Sequence, residues 1–322
     1  MIVTNESQKQ ELVNSLLVDQ MKLEARLAPK FKKLIRQIGS EGATYYINNK
    51  RVINADNYTS ETITLLREHY RIVIPKFGFQ IRKQVGLTSK YFNCLDDMVE
   101  TKQINNEFDE ASIIYINNHS EEQAELITET NQKDLDKATN SALISLLLLM
   151  GVSDEQLTPF LNQELAVQRV GLQALVDSNT EFTDKFKEEQ FERFFKREMN
   201  NKASNRSVAI AITETNDPMN FAMTTEAQLA SQDNDIAEAA VATGLISASS
   251  LQFGLLPISK EWVAVLDSRT RATHAAADGQ VVAFNGTFKV GGYDLRYPGD
   301  STLGAPAQEV VNCRCKALAI FE

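Results

Sequence analysis

Between Gln10 and Gln37 apolar residues recur at Leu12, Leu16, Leu17, Met21, Leu23, Leu27, Phe31, Leu34 and Ile35, close to the 3.6-residue period of a helix with one buried face. This spacing predicts an amphipathic helix with a break near Pro29. The period is lost over residues 39–57, GSEGATYYINNKRVINADN. Its glycines, asparagines and β-branched residues predict a loop or small hairpin there. After Ser60 a helical pattern resumes over Glu61–Val85, with Pro75 as a kink or joint. From Ser141 through Met199 the pattern is helical again, and its apolar positions are crowded enough to pack on several sides. Within Glu181–Met199, Phe186, Phe191, Phe194 and Phe195 make an aromatic stripe at helical spacing among alternating charges, which suits a core seam or a partner face. One more helix is predicted over Ile236–Gly244, ending at glycine.

Past Trp262 the pattern changes to short apolar runs separated by turn residues. Trp262–Leu266 predicts a strand, and Asp267 can cap a short helix through about Thr273. Asp278-Gly279 then turns the chain into Val281–Phe284. Asn285-Gly286 is a type I′ hairpin signal before Thr287–Val290. The resulting fold class is α+β, a largely helical N-terminal and middle region followed by a small C-terminal α+β domain with a hairpin. Three segments follow: residues 1–140 as a helical docking region, 141–260 as a helical middle region, and 261–322 as the C-terminal domain.

Uncommon residue types gather only in that last segment. Asp267, Arg271, His274 and Asp278 follow at steps of four, three and four, so a helix continued to Asp278 would align them on one face. One reading is structural: Asp267 caps, Arg271 pairs with it, and His274 makes one bond at the helix end. The other is a polar site in which Arg271 holds an anion and His274 moves a proton, with Asp278 beside them. Cys313 and Cys315, one residue apart on a predicted strand, point to the same side. With His274 and a carboxylate such as Asp267 or Asp300 they could complete a tetrahedral zinc site. Against zinc stand the usual wider cysteine spacing, the lack of a fourth soft ligand, and the ordinariness of small buried thiols in a core.

The ordered string W-V-A-V-L-D-S-R-T-R-A-T-H, then D-G-Q, then a loop with P-G-D, then N-C-R-C resembles the C-terminal domain of the phage Mu F-like minor head protein family. These are the minor capsid or head morphogenesis proteins of tailed phages. Upstream, R-S-V-A-I-A-I-T-E-T (Arg206–Thr215) and then N-F-A (Asn220–Ala222) resemble the helix that precedes this domain. The similarity covers roughly residues 205–322. Asp217-Pro218 departs from it, because proline removes a donor and disfavours helix in its predecessor, so a kink or break is expected there. The resemblance implies a virion component made in the host cytoplasm and placed at the portal vertex or capsid interior. Its implied partners are the portal protein, the major capsid protein or a scaffold protein, and its implied duty is head assembly or genome packaging and delivery. It does not imply an enzyme.

Composition changes this picture little, and charge changes it more. A chain of 322 residues, 43% hydrophobic and 24% charged, is an ordinary globular mix long enough for two cores. Cys94, Cys313 and Cys315 are too few for a disulfide framework and fit synthesis in a reducing cytosol. The opening MIVTNESQKQ lacks the basic and apolar regions of a signal peptide. The apolar run Leu143–Val152 is half the length a membrane span needs. The net charge is −10, yet residues 21–90 hold fourteen Lys/Arg against five Asp/Glu, and residues 96–136 hold twelve acidic side chains against two basic. A basic face toward DNA or an acidic portal surface is one reading; mutual pairing or solvated faces is the other. No P-loop, GxGxxG or HExxH is present, and His69 and His119 stand alone in sequence. Two alternatives to a head protein stay open. One is a nucleic-acid- or nucleotide-directed enzyme centred on Arg271, His274 and Asp278, and the other a DNA-binding ejection protein using Lys22 to Lys90.

Overall fold

The computed structural model describes residues 6–84, 99–232 and 258–321. Long helices dominate: α1 (Glu6–Asn49), a 3-10 turn (Ala55–Tyr58), α2 (Thr59–Gln84), α3 (Val99–Leu149), α4 (Asp154–Leu161), α5 (Leu165–Ser178) and α6 (Asp184–Gln232). A small α+β module follows, made of β1 (Ile258–Val263), α7 (Ala272–Ala277), β2 (Val281–Ala283), β3 (Phe288–Val290), β4 (Tyr293–Leu295), α8 (Ala307–Val310) and β5 (Lys316–Phe321). The helix predicted over 236–244 lies outside the described residues. Among those residues no helix is long and apolar enough to cross a membrane. The chain divides into two compact units. The first gathers the described residues within Met1–Arg26, Leu66–His119 and Ala209–Glu322, and the second Leu27–Leu65 with Ser120–Val208.

The second unit is helical. Leu27, Phe31, Leu34, Ile35 and Ile38 of α1 are each at most 2% exposed, a continuous apolar seam through the expected breakpoint. Pro29 sits inside this helix without ending it. The proline deprives the Ala25 carbonyl of its helical donor, a cost of about 3 kcal/mol. Burying the flanking side chains returns roughly 1.5–3 kcal/mol for each large one. The expected loop from residue 39 is likewise helical as far as Asn49. Gly39 and Gly42 are contact points there: a Cβ on Gly39 would stand 2.7 Å from Met199 Cβ, and one on Gly42 3.0 Å from Leu135. The aromatic stripe of α6 is a core seam. Phe191 stacks on Tyr46 with ring centroids 4.8 Å apart, and on Phe195 at 5.7 Å. Members of the acidic block find basic partners on later helices: Asp134 binds Lys202 at 3.2 Å and Arg206 at 3.0 Å, and Asp136 pairs with Arg169.

The first unit brings the module against helices. Strands β2, β1 and β5 form an antiparallel sheet in that order, with Trp262 opposite Ala317. Strands β3 and β4 form a separate hairpin, with Val290 opposite Tyr293. Its two-residue loop is Gly291-Gly292, with φ of 59° and 88°, the left-handed pair a type I′ turn requires. Asn285-Gly286, the expected hairpin turn, instead links strands of two different sheets, and neither residue has positive φ. Helix α6 continues through Pro218 to Gln232, so the expected interruption at Asp217-Pro218 does not end it.

Around Pro218 the helices enclose a buried polar cluster. Tyr70 of α2 donates to the Glu214 carboxylate, His69 Nε2 lies 2.9 Å from Thr215 Oγ1, and His119 Nε2 of α3 stands 2.7 Å from Asp217 Oδ2. Burial raises the Glu214 pKa to about 7, against the opposing pull of His119 and the Tyr70 hydroxyl. Between its ordinary value and about 7 the folded state therefore holds a proton that the unfolded chain releases, so stability falls as pH rises through that window. Glu214→Gln removes this term while keeping an acceptor for Tyr70. The variant is expected to gain thermal stability over the parent at about pH 8 and to gain little at about pH 5, a difference of roughly 3 kcal/mol at most. Parallel melting curves at the two pH values measure it.

Candidate functional site

The module is folded around Trp262, which is fully buried among Phe288, Val290, Leu295, Val310, Cys313, Cys315 and Ala317. Its edge meets Phe288 at 5.4 Å and the His274 ring at 5.5 Å, both nearly perpendicular. His274 is carried on the six-residue α7, which starts at Ala272, so Asp267 is outside it. Asp267 instead organises a turn, accepting from the backbone N–H of Arg269 and pairing with the Arg269 guanidinium. The helix that would align Asp267, Arg271, His274 and Asp278 is not formed.

The proposed polar trio separates accordingly. Arg271 donates through Nη2 to the carbonyl oxygen of Val311, bracing the loop before the cysteines. Asp278 Oδ1 accepts from the Ala264 N–H at 2.8 Å, closing the end of β1. Asp300, fully buried, accepts from the backbone N–H groups of Arg296 and Thr302, both at 3.0 Å, and from their side chains. Burial alone would raise its pKa, but donors from Thr302 and Arg296 hold it below the usual carboxylate value.

His274, Cys313 and Cys315 do come together. They are 2%, 2% and 3% exposed, and their ligand atoms lie within 4.8 Å of one another. His274 Nδ1 stands 3.6 Å from Cys313 Sγ and 3.5 Å from Cys315 Sγ. The cysteines lie in the approach to β5 rather than within it. A hydrogen bond from Cys313, with help from His274, holds the Cys315 thiol below its ordinary pKa; the same bond and burial push the Cys313 thiol up. The carboxylate at this site is Glu309 of α8, in place of either Asp267 or Asp300. Its Oε2 lies 3.3 Å from His274 Nε2 and accepts from Thr273 Oγ1 at 2.9 Å. The Gly291 backbone closes over it, for a Cβ there would be 2.7 Å from Glu309 Oε1.

The residues alternating with the cysteines look the other way. Arg314 binds Glu24 of α1 at 2.8 Å. Lys316, with no exposed surface, donates to Gln20 Oε1 at 2.6 Å and Asn216 Oδ1 at 2.8 Å. Asn220, one turn further along α6, donates to the carbonyls of Pro298 at 3.0 Å and Cys315 at 3.3 Å and accepts from Ala317 N at 2.9 Å. Because β5 lies at the edge of its sheet, that Ala317 N–H has no strand to bond. Asn220 takes the strand's place.

Residues 186–318 match the model of the family described as Phage Mu protein F like protein. That stretch of the chain is Mu F-like. The Mu F-like stretch takes in nearly all of α6 as well as the module, so the helix bearing Asn216 and Asn220 belongs to the matched unit. The family is one of phage head morphogenesis. Over 65 residues the chain is also 34% identical to a protein named NAD(+)--arginine ADP-ribosyltransferase EFV, from Enterococcus faecalis (strain ATCC 700802 / V583). The matched part is 20% of this chain and 13% of that protein, so the chain spans about an eighth of that relative's length. No solved structure matches the chain.

Sequence reading reached His274 and the cysteine pair but not Glu309, whose setting, Gln-Glu-Val-Val, reads as an ordinary helix turn. It also left His69, His119, Glu214 and Asp217 unconnected, since their contacts span 98 to 146 residues and no local spacing encodes them. Asn220→Ala strands the buried Ala317 N–H and takes from the Pro298 carbonyl its shorter donor, leaving it only Asn216 Nδ2 at 3.4 Å. The expected cost is about 2–4 kcal/mol, read as a lower midpoint in urea with an unchanged slope.

Proposed function

We propose that the protein is a minor head protein of a tailed phage, bound at the portal or the inner capsid wall and acting in head assembly or in packaging and delivery of the genome. The observation that carries this reading is the Mu F-like match over residues 186–318. The fold is consistent with a docking part: the matched module is held by polar contacts from α6 and α1 to a helical body, and the front of the chain carries a basic block followed by an acidic one. The expected partners are the portal protein, the major capsid protein or a scaffold protein. The transferase named for the enterococcal relative lends little to an enzymatic reading here, as the shared residues are 13% of that protein and Arg271, His274 and Asp278 each engage different partners.

The test is co-sedimentation with portal oligomers, empty shells and scaffold separately. Binding to one of these at a fixed ratio is the expected result. A monodisperse protein with affinity for none of them overturns the proposal. Tight binding to DNA that falls steeply with added salt would transfer the assignment to an ejection protein working through its basic segment.

A further inference from the structure

We propose that His274, Cys313 and Cys315 bind one thiophilic divalent cation, zinc by the chemistry of the donors, and that this ion ties α7 to the approach of β5. The inference is independent of where the protein sits in a virion. A tetrahedral zinc with sulfur at about 2.3 Å and nitrogen at about 2.05 Å separates an imidazole nitrogen from a thiolate sulfur by about 3.6 Å. The two separations here are 3.6 and 3.5 Å. A simple thiol–imidazole hydrogen bond would account for one sulfur on the nitrogen's single lone pair. Two sulfurs at nearly equal distance from the same Nδ1 are at the separations that one shared ion would impose.

The surroundings select the same nitrogen. Glu309, itself 6% exposed, holds its carboxylate 3.3 Å from Nε2 and is fixed there by Thr273 and by the Gly291 backbone. At this separation Nε2 makes no hydrogen bond, but an acceptor placed beside it still favours the tautomer with its proton on that side, which leaves the Nδ1 lone pair facing the sulfurs. Carboxylate, imidazole and ion in a row is a recurrent arrangement in metal sites, where the carboxylate orients the ring and raises its basicity. Trp262 closes the pocket from the side of the ring. Two thiolates against a divalent ion make the loaded centre neutral, which suits its burial. Three protein ligands leave one tetrahedral position for water. The ligand spacing explains why sequence patterns miss the site: Cys313 and Cys315 are separated by one residue, and extended backbone turns both sulfurs to the same side.

The experiment uses the full chain, purified and kept reduced. Cobalt(II) added to metal-free protein is expected to bind at about one ion per chain and to give the intense visible bands of tetrahedral cobalt with a thiolate-to-cobalt charge-transfer band. X-ray absorption of the zinc-loaded protein is expected to fit two sulfurs at about 2.3 Å and nitrogen at about 2.0 Å. Cys315→Ser should abolish the charge-transfer band or weaken it by at least half, and Cys94→Ser should leave it intact. Glu309→Gln should retain the band while weakening affinity by about 10–100-fold. If the serine variant fails to fold, the absorption data on the parent chain decide alone. A reduced, folded parent that takes up no stoichiometric cobalt or zinc overturns the proposal, as does a bound ion with only nitrogen and oxygen neighbours. An unchanged affinity in Glu309→Gln overturns the orienting role assigned to that carboxylate.

Discussion

The C-terminal module depends on one exchange of hydrogen bonds, that between the side-chain amide of Asn220 and the backbone of residues 298, 315 and 317. An edge strand facing a helix has unsatisfied backbone groups that apolar packing cannot answer. Asn220 offers a donor and an acceptor in one plane and so substitutes for a neighbouring strand. Lys316 adds to this by placing a buried ammonium among Gln20, Asn216 and the Arg314 carbonyl. Burial lowers its pKa to about 7, so the ammonium depends on these acceptors to stay charged in the interior. Loss of any one acceptor therefore affects more than a single bond.

Two polar arrangements belong to the same unit and differ in kind. The cluster of Tyr70, His119, Glu214 and Asp217 joins three helices, and burial raises the pKa of its Glu214 to about 7. Its members are far apart in the chain, and it holds helix to helix. The group of His274, Glu309, Cys313 and Cys315 is compact in sequence, spanning 42 residues from His274 to Cys315, and holds the module to itself. Pro218 lies at the boundary. By removing a helical donor it frees the Glu214 carbonyl in the middle of the helix that carries both Glu214 and Asn220. Polar neighbours there, rather than helix geometry, set the local cost.

Periodicity in the sequence located much of the helical body, the onset of the module and its strands β2 and β3, because each depends on contacts made every second, third or fourth residue. By contrast, β1 runs Ile258–Val263 instead of Trp262–Leu266, and β4 lies in what reads as a loop. Punctuation residues misled where tertiary contact outweighed local preference. Pro29 is carried by buried Leu23 and Leu27 before it and Phe31, Leu34 and Ile35 after it, and Gly39 and Gly42 mark close helix approach instead of a turn. Asn285-Gly286 carries a hairpin signal, but strand pairing is decided by register across a sheet, and three-residue strands encode little of it. The candidate site was legible in its rare residues, histidine and two cysteines, and illegible in Glu309, an acidic residue whose role depends on the loop that covers it.

The alternation in Asn-Cys-Arg-Cys-Lys has a consequence for how this segment can vary. Odd positions 313, 315 and 317 face the tryptophan core, while even positions 314 and 316 reach toward α1 and α6. Substitution at any one site disturbs one face, but insertion or deletion of a single residue exchanges the faces. Two cations would then enter an apolar pocket, and two small thiols would meet Glu24, Gln20 and Asn216. The segment can therefore tolerate changes of letter far better than changes of length, and lineages of this chain should show a fixed count of residues between Val311 and β5 even where the residues themselves drift.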